Sequence, residues 1–558
     1  MTSNEFSRIA ADAISALCKE YPAEATFLGD HSHDDRLSYP TAAAAHRRRS
    51  ELTDLIATLD ASDATELDTA DLVDREILRT AAASEIFGLT ELDEASWNPM
   101  EHNPGQALYG LLSRDFAPLP ERLTNLAGRL RSIPDYLVAA RERLTDLSAI
   151  HTETAIAQLD GTLALIETAV PAAVTEAGVG SDTGGDFGAD DFGADIARAA
   201  AAVREHQAWL RERLPEANRS ARLGEELFTR KLALTLATPW RPQALLEQAY
   251  RDLDRVDTEL SALTAADPHA GRRAIAAEFD RLAEDMPTSE TILGNCRTAL
   301  AETTEFVQRH DLLTLLHDPV EVIEMPEIDR GVAVAYCRAV GALETAPLLT
   351  QFAVSPTPAD WSPERVTSFY REYNNHMLHN LTVHEAMPGH VEQLSHSRRY
   401  QGSTAIRSVF GSGSFIEGWA VYAEELMAEL GYRGDVSAEA AAAVQMQQLK
   451  MQLRMILNTI LDISFHTGDL DEAGAMALMT ERGYQEEGEA AGKWRRVQLS
   501  STQLCTYYVG YLEVRQVVAD LRAEHTDWSV RQIHDAVLGF GSPPVRHLRT
   551  LLGLPPAA

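Results

Sequence analysis

The stretch HEAMPGH, from His384 to His390, places two histidines six residues apart around a Pro-Gly pair. On a regular helix, residues six apart differ by roughly 240° around the axis, so the two rings would point to different sides. Pro388 breaks the helix, because it has no N–H for the carbonyl of His384 and its ring clashes with that carbonyl. Gly389 can adopt backbone angles that other residues avoid. We therefore predict an irregular turn between Ala386 and His390 that swings His390 back toward His384.

The turn matters because the shorter motif H-E-x-x-H binds zinc through both histidines, with the glutamate beside the first one acting on water. By this analogy His384 and His390 are predicted metal ligands, and Glu385 is the predicted general base. The alternative is a helix that ends at a Pro-Gly turn with two incidental histidines. His376 and His379 are rival ligands by residue type, but neither is followed directly by a carboxylate.

The segment in front of the motif is predicted to form one long helix. Ser362 and Pro363 are a typical N-cap and first-turn pair, and Val366, Tyr373 and His384 fall near one helix face. His384 is therefore expected on the inward face of this helix.

The composition favours a helical protein. A chain of 558 residues can bury a large core. Alanine, leucine, glutamate and arginine are abundant, and apolar residues recur at helical spacing. We expect a mainly α fold, a large helical body with a deep cleft. The best strand-like stretches predict at most a small β hairpin or sheet near residues 320–340, beside the site.

Two regions are expected along the chain. Residues 1–215 are predicted to form an N-terminal helical region, and residues 216–558 a helical region that carries the metal site and packs with the first as one body. Residues 174–195 are rich in glycine and aspartate. This composition predicts a flexible acidic loop between helices.

Charge and targeting signals narrow the choice of partners. The chain has 49 basic and 84 acidic residues, a net charge of -35, so its surface repels nucleic acid and anionic membranes. It begins without a basic and apolar leader and has no run of about 18 apolar residues. We expect a cytoplasmic protein. Its four cysteines lie far apart, which argues against disulfides and against a cysteine zinc site.

A catalytic zinc site needs a third protein ligand, commonly a glutamate. The stretch GSGSFIEGWAVYAEEL offers Glu417 and Glu424, seven residues apart on one helix face. They would be roughly 10 Å apart at 1.5 Å rise per residue, so only one can bind the ion. Glu417 could instead close a capping box that begins at Ser414, and Glu424 could be an ordinary solvated glutamate. Spacing alone leaves the choice open.

Four boxes together carry a family resemblance: HEAMPGH, EGWAVYAEEL, RMILNTILDISFHTG and STQLCTYYVG. They resemble, in the same order, the pattern of the bacterial family catalogued as domain of unknown function 885, whose members are regarded as zinc metallohydrolases. The resemblance covers most of the chain and implies zinc as the cofactor. It also implies that Glu417, rather than Glu424, is the third ligand beside His384 and His390.

The resemblance extends to further positions. The other residues on matching positions are Glu385, Arg454, Asp462, His466, Gln503 and Tyr507. The last box of the family usually opens with Pro-Gly, where this chain has Ser501-Thr502.

The chemistry expected of such a site is amide hydrolysis, most simply of short peptides. Glu385 would take a proton from zinc-bound water and pass it to the leaving amine. The tetrahedral intermediate carries an oxyanion that needs a further hydrogen-bond donor. Tyr507 and His466 are the candidates, although Tyr507 is also explained as an aromatic core residue.

Two charged residues are candidate substrate contacts. Arg454 could bind a substrate carboxylate through two parallel hydrogen bonds, which would favour a carboxypeptidase. A salt bridge inside the helical core, with a partner such as Asp462, explains Arg454 equally well. Glu424 is expected one to two turns from the ion, as a carboxylate that supports a ligand or faces the substrate.

Two other classes of protein fit part of the pattern. Two histidines and one carboxylate also match the facial triad of non-haem iron oxygenases, but that function leaves Glu385 without a task. The other alternative is a helical binding protein whose metal is structural or absent. Closed coordination by four protein ligands would favour a structural metal.

Overall fold

The fold is mainly α, as predicted, and a computed structural model describes residues 1–178, 189–264, 271–326, 334–358 and 361–555. The helices before the sheet are α1 (Ser3–Glu20), α2 (Pro22–Leu28), α3 (Ala42–Ala61), α4 (Thr69–Phe87), α5 (Gly105–Leu112), α6 (Leu119–Arg143), α7 (Ala149–Ala164), α8 (Val170–Glu176), α9 (Ala189–Arg213), α10 (Glu225–Thr235), α11 (Pro242–Thr264), α12 (Gly271–Leu282) and α13 (Ile292–Arg309).

The helices after the sheet carry most of the predicted site residues. They are α14 (Pro363–Glu372), α15 (Asn375–Glu385), α16 (His390–Arg399), α17 (Ile406–Val409), α18 (Gly413–Glu429), α19 (Ala438–Thr467), α20 (Glu472–Ala477), α21 (Glu487–Leu499), α22 (Thr506–Glu524), α23 (Val530–Leu538) and α24 (Val545–Leu551). The predicted long helix is in fact two, α14 and α15. The side chain of Asn374 caps the second by accepting hydrogen bonds from the N–H groups of His376 and Met377.

A small sheet lies between the two sets of helices. Its strands are β1 (Val320–Glu324), β2 (Ala335–Arg338) and β3 (Thr350–Val354), in the order β1-β3-β2. β1 is parallel to β3, and β2 is antiparallel to it, with Cys337 opposite Phe352. The predicted sheet is confirmed, but its central strand lies beyond the predicted region, and the hairpin alternative is wrong because β1 and β2 do not pair. β2 is therefore an edge strand.

The centre of the molecule is built around α18, α19 and α22. From Ala443 to His466, most positions of α19 are buried. α18 and α22 touch backbone to backbone: a Cβ on Gly418 would lie 2.2 Å from the carbonyl carbon of Gly510. A Cβ on Gly510 would lie 1.9 Å from the carbonyl oxygen of Ser414. These two glycines thus allow the first turns of both helices to lie side by side.

The N-terminal helices are tied to later ones by buried charge. Arg407 donates to Asp74 at 2.6 Å, and both side chains are almost fully buried. The predicted boundary at residue 215 stays a prediction. The predicted loop at 174–195 is too wide, since α8 runs to Glu176 and α9 begins at Ala189; residues 179–188 lie outside the described residues.

Two further observations concern the cysteines and the helices. Cys18, Cys296 and Cys505 are buried free thiols, while Cys337 is half-buried. Within the described ranges, no helix combines the length and the apolar character that a membrane crossing requires.

Candidate metal centre

The predicted break in the helix is confirmed. α15 ends at Glu385, and α16 begins at His390. The turn between them contains a cis peptide bond between Met387 and Pro388. Its backbone remains partly satisfied, because the N–H of Gly389 donates to the carbonyl of Val383 at 2.9 Å.

Gly389 is required by space. Its φ is -71°, outside the left-handed region. A Cβ at this position would lie 1.9 Å from the carbonyl oxygen of His384 and 2.3 Å from that of Val383. Backbone atoms cannot move aside as a flexible side chain can, so only glycine lets the turn fold back this tightly.

We expect Gly389→Ala to destabilise the protein by about 1–3 kcal/mol or more, because the added methyl collides with two carbonyls. Urea unfolding measures the change. Gly492→Ala is the matched control, since Gly492 lies in α21 and a methyl group added there would meet nothing within 4 Å. That variant should gain about 0.5–1 kcal/mol. Equal effects at both positions would contradict the close approach at Gly389.

The turn brings the three predicted ligands together. Oε2 of Glu417 lies 3.3 Å from Nε2 of His384 and 3.4 Å from Nε2 of His390. The two imidazole centroids are 4.7 Å apart, and all three ligand atoms lie within 4.8 Å of one another. Across the described ranges, this is the single group of three or more His, Cys, Asp or Glu side chains with such geometry.

Glu417 is free for this role because it does not cap its helix. The N-cap of α18 is Ser412, whose hydroxyl accepts a hydrogen bond from the N–H of Phe415 at 3.4 Å. The alternative capping box beginning at Ser414 is therefore wrong. Glu417 lies one turn inside the helix and points toward α15 and α16.

The donor set passes a test of fit for a metal ion. Oε2 of Glu417 is buried and close to two imidazole nitrogens, yet it forms no hydrogen bond of acceptable geometry. Burial alone would raise the pKa of Glu417, but the charges of the adjacent His390 and His384 hold it well below its usual range. An ionised oxygen without a directed partner, facing two nitrogens, suits a shared cation.

Glu424 lies behind His384, away from the centre of the donor set. Its Oε1 is 2.6 Å from Nδ1 of His384, and its Oε2 accepts a hydrogen bond from Nδ2 of Asn380 at 2.6 Å. Burial would lower the pKa of His384, but the adjacent carboxylates of Glu417 and Glu424 raise it well above its usual value. Glu424 is 2% exposed. Of the two expected roles, these contacts match the support of a ligand, because Glu424 orients His384.

Asn380 is a residue that the sequence analysis left without a role. It lies four residues before His384, so both side chains fall on one face of α15. That spacing was the available signal. Through Glu424, Asn380 fixes the carboxylate that holds the His384 ring.

Glu385 stands at the end of α15, next to the sheet. Its Oε2 accepts a hydrogen bond from the backbone N–H of Cys337 on edge strand β2, at 3.0 Å. Its charge helps to raise the pKa values of both His384 and Tyr507. The carboxylate therefore lies close to both, with one oxygen fixed by the strand. No sequence signal points to this contact, because a backbone group makes it.

Tyr507 lies in the first turn of α22, beside the first turn of α18. The nearby carboxylate of Glu417, and then burial, raise the pKa of Tyr507 well above its usual value. Its hydroxyl therefore stays protonated and remains a hydrogen-bond donor near the donor set. The ring of Tyr507 also packs partly against the hydrophobic core. The alternative of an aromatic core residue therefore explains the ring but not the hydroxyl.

The Ser501-Thr502 departure leaves the local backbone in the shape a glycine would adopt. Thr502 has a φ of +63°, in the left-handed region that glycine enters without penalty. Its N–H donates to Oδ1 of Asp462 at 3.2 Å, and its hydroxyl lies 3.2 Å from that of Thr235. These contacts hold the chain that leads into Tyr507.

His466 is not available as an oxyanion donor. Its Nε2 lies 2.9 Å from the carbonyl of Ser500, and its Nδ1 accepts a hydrogen bond from the N–H of Leu223 at 3.3 Å. Burial lowers the pKa of His466 to about 4. The ring is thus neutral with both nitrogens in use, and the predicted catalytic role is contradicted by these contacts.

Arg454 is held in a buried ion network. It donates to Glu489 and to the hydroxyl of Tyr373, and its Nη1 lies 3.7 Å from Glu372. The predicted contact with a substrate carboxylate is therefore contradicted, and the salt-bridge alternative holds with other partners than Asp462. The argument for a carboxypeptidase depended on Arg454 and therefore loses its support.

Comparisons with known proteins find matches that cover nearly the whole chain. The model of a bacterial family of unknown function, domain of unknown function 885, matches residues 22–552. No curated protein matches. A solved structure from Shewanella oneidensis, described as a "putative lipoprotein of unknown function", is 29% identical with a TM-score of 0.83 and covers 98% of this chain and 99% of its own.

A second solved structure shows the same fold. It is described as a "putative lipoprotein" from Colwellia psychrerythraea, is 16% identical with a TM-score of 0.80, and covers 99% of this chain and 98% of its own. The predicted cytoplasmic location stays a prediction beside these descriptions. The family match extends over nearly all of the chain, so the protein belongs to the bacterial family catalogued as domain of unknown function 885.

Proposed function

We propose that the protein is a zinc-dependent hydrolase that cleaves amide bonds in short peptides. One observation carries the proposal. The Oε2 atom of Glu417 is buried, has no hydrogen-bond partner, and faces the Nε2 atoms of His384 and His390. Glu385 next to this group supplies a base. Neither feature is needed by a structural protein.

The donor set favours a catalytic metal over a structural one. Two imidazoles and one carboxylate are a common ligand set of catalytic zinc, with a fourth position left for water or substrate. In the part of the chain that the structure describes, no fourth His, Cys, Asp or Glu joins the group. Zinc in such a site supplies Lewis acidity, which polarises a carbonyl oxygen and acidifies water.

Glu385 is placed to move the proton. Because Cys337 N–H fixes Oε2, Oε1 is left to accept a proton from the attacking water. The same carboxyl then protonates the nitrogen of the leaving amine as the C–N bond breaks. An oxygenase would have no use for this base, which is why hydrolysis is favoured over iron chemistry.

Tyr507 is placed to stabilise the transition state. Its hydroxyl is protonated, and the carboxylates of Glu417 and Glu385 act on it. A hydroxyl at this position can donate a hydrogen bond to the oxygen of the former carbonyl as negative charge develops there. The donor lies on a rigid helix, so little reorganisation is needed.

The proposal is tested by metal analysis of protein purified without added metal, followed by digestion of a peptide library. We expect about one zinc per chain, cleavage that a chelator abolishes, and recovery when zinc is returned. Intact peptides after incubation with fully zinc-loaded protein would refute the proposal. One iron per chain with oxygen consumption would favour the oxygenase instead.

Tyr507→Phe should lower kcat by about a hundredfold to a thousandfold, with little change in KM, since the hydroxyl acts on the transition state. Steady-state kinetics on a peptide from the library measures this. The matched control is Tyr508→Phe, because the neighbouring hydroxyl donates to Asp252 and serves the core. That variant should lose about 1 kcal/mol of stability while kcat holds. An unchanged kcat in Tyr507→Phe would remove Tyr507 from the mechanism.

A further inference from the structure

A cavity of about 450 Å³ lies at the starts of α18 and α22, within the usual size of small-ligand sites. Two of its lining residues, Gly413 and Thr506, locate it. Gly413 precedes Glu417 by one turn of α18, roughly 6 Å along the axis, and Thr506 directly precedes Tyr507. The cavity therefore adjoins the ends of both helices that carry catalytic candidates.

The walls of the cavity combine apolar surface with charge. Trp97, Met100 and Leu223 contribute apolar surface. The lining residues that titrate are Glu94, Glu101, Lys231, His151 and His466. Burial lowers the pKa values of both histidines to about 4, so they are neutral at pH 7. The remaining charge comes from two carboxylates and one ammonium group.

These three charges do not balance. Nζ of Lys231 donates to Oε1 of Glu94 and to the hydroxyl of Ser501, both at 2.9 Å. Glu101 is different: in the described part of the chain, its carboxylate has neither a hydrogen-bond partner nor an ion pair. It is a solvent-exposed residue that lines the cavity, and desolvation by its neighbours together with Glu94 raises the pKa of Glu101 to about 7. When Glu101 is ionised, the lining residues therefore carry one more negative charge than positive charge.

We infer that the cavity binds an ammonium group of the peptide substrate, which donates hydrogen bonds to Glu101 beside the Lys231–Glu94 pair. That the bound molecule is a substrate rests on the proposed function. That the cavity binds an ammonium group rests on the cavity alone. An ammonium group brings a positive charge, which favours the ionised form of Glu101, and three hydrogen-bond donors. The apolar walls suit the aliphatic part of the same residue. The α-amino group of a short peptide and the side chain of lysine share this chemistry.

The experiment measures binding, so that it does not depend on turnover. Zinc-loaded Glu385→Gln protein is titrated calorimetrically with trialanine, with N-acetyltrialanine, and with an N-acetylated tripeptide that has a central lysine. The same titrations are repeated with Glu101→Gln added. Glu153→Gln is the matched control, because Glu153 is an exposed residue of α7, outside the cavity lining.

We expect Glu101→Gln to weaken binding of trialanine by about tenfold to a hundredfold, the usual effect of losing a charged hydrogen-bond partner. N-acetyltrialanine should bind both proteins alike, and Glu101→Asp should be intermediate. If the lysine peptide responds to Glu101→Gln and trialanine does not, the ammonium group is the side chain. The inference would be overturned if trialanine and the lysine peptide bound no more tightly than N-acetyltrialanine. It would also be overturned if neither trialanine nor the lysine peptide bound measurably. A protein that hydrolyses nothing but keeps this discrimination would refute the proposed function alone.

Discussion

Glu385→Gln is expected to lower hydrolysis of any peptide substrate by about a hundredfold to ten-thousandfold, the contribution of a positioned general base. Glutamine keeps the size of the side chain and an oxygen that can still accept the hydrogen bond from Cys337 N–H. Only the basicity is lost. Metal content and unfolding free energy should therefore be close to those of the wild type.

The measurement pairs initial rates with metal analysis on the same preparation. Glu305→Gln is the control, since the Glu305 side chain is 75% exposed on α13 and only loosely paired with Arg309. Its rate should match the wild type. Hydrolysis by Glu385→Gln within a few-fold of wild type would show that the mechanism is wrong, and the oxygenase or non-catalytic alternatives would then move ahead.

The helix break could be predicted because its cause is local. Pro388 and Gly389 act on atoms within a few residues, so chain geometry alone required the turn. Helix boundaries were less predictable for a related reason. Several residue types can cap a helix, and Ser412 and Asn374 were chosen by contacts that a single segment does not reveal. The capping-box alternative for Glu417 and the predicted long helix failed at these two positions.

The predicted roles of Arg454 and His466 failed because their partners come from other segments. Glu489 lies 35 residues after Arg454 along the chain and Leu223 lies 243 before His466, and nothing in the sequence shows that they meet. Both residues were chosen by type and by family position, which identify an important side chain but not its partners. The sequence analysis did not single out Glu101, because it lies far in sequence from every motif.

The largest effect expected on the metal centre is at Glu417. Glu417→Gln removes the only carboxylate among the three donors, and the neutral amide is a poor ligand, so zinc should fall to background after dialysis. Glu424→Gln should behave differently. It weakens the hydrogen bond that holds the His384 ring at 2.6 Å, and losing such a support typically costs about tenfold to a hundredfold in metal affinity or activity.

A third glutamate on α18 provides a control for this comparison on the same helix. Glu429 is exposed near the end of α18, so Glu429→Gln should retain full zinc and full activity. Zinc per chain by atomic emission, measured after dialysis against a weak chelator, should then rank Glu417→Gln lowest, Glu424→Gln intermediate and Glu429→Gln equal to wild type. The ranking follows from the positions of the carboxylates. Glu417 faces both imidazole Nε2 atoms, Glu424 contacts the Nδ1 atom of His384 on the far side of the ring, and Glu429 faces solvent. Zinc lost from Glu424→Gln but kept in Glu417→Gln would reverse the assignment of the third ligand.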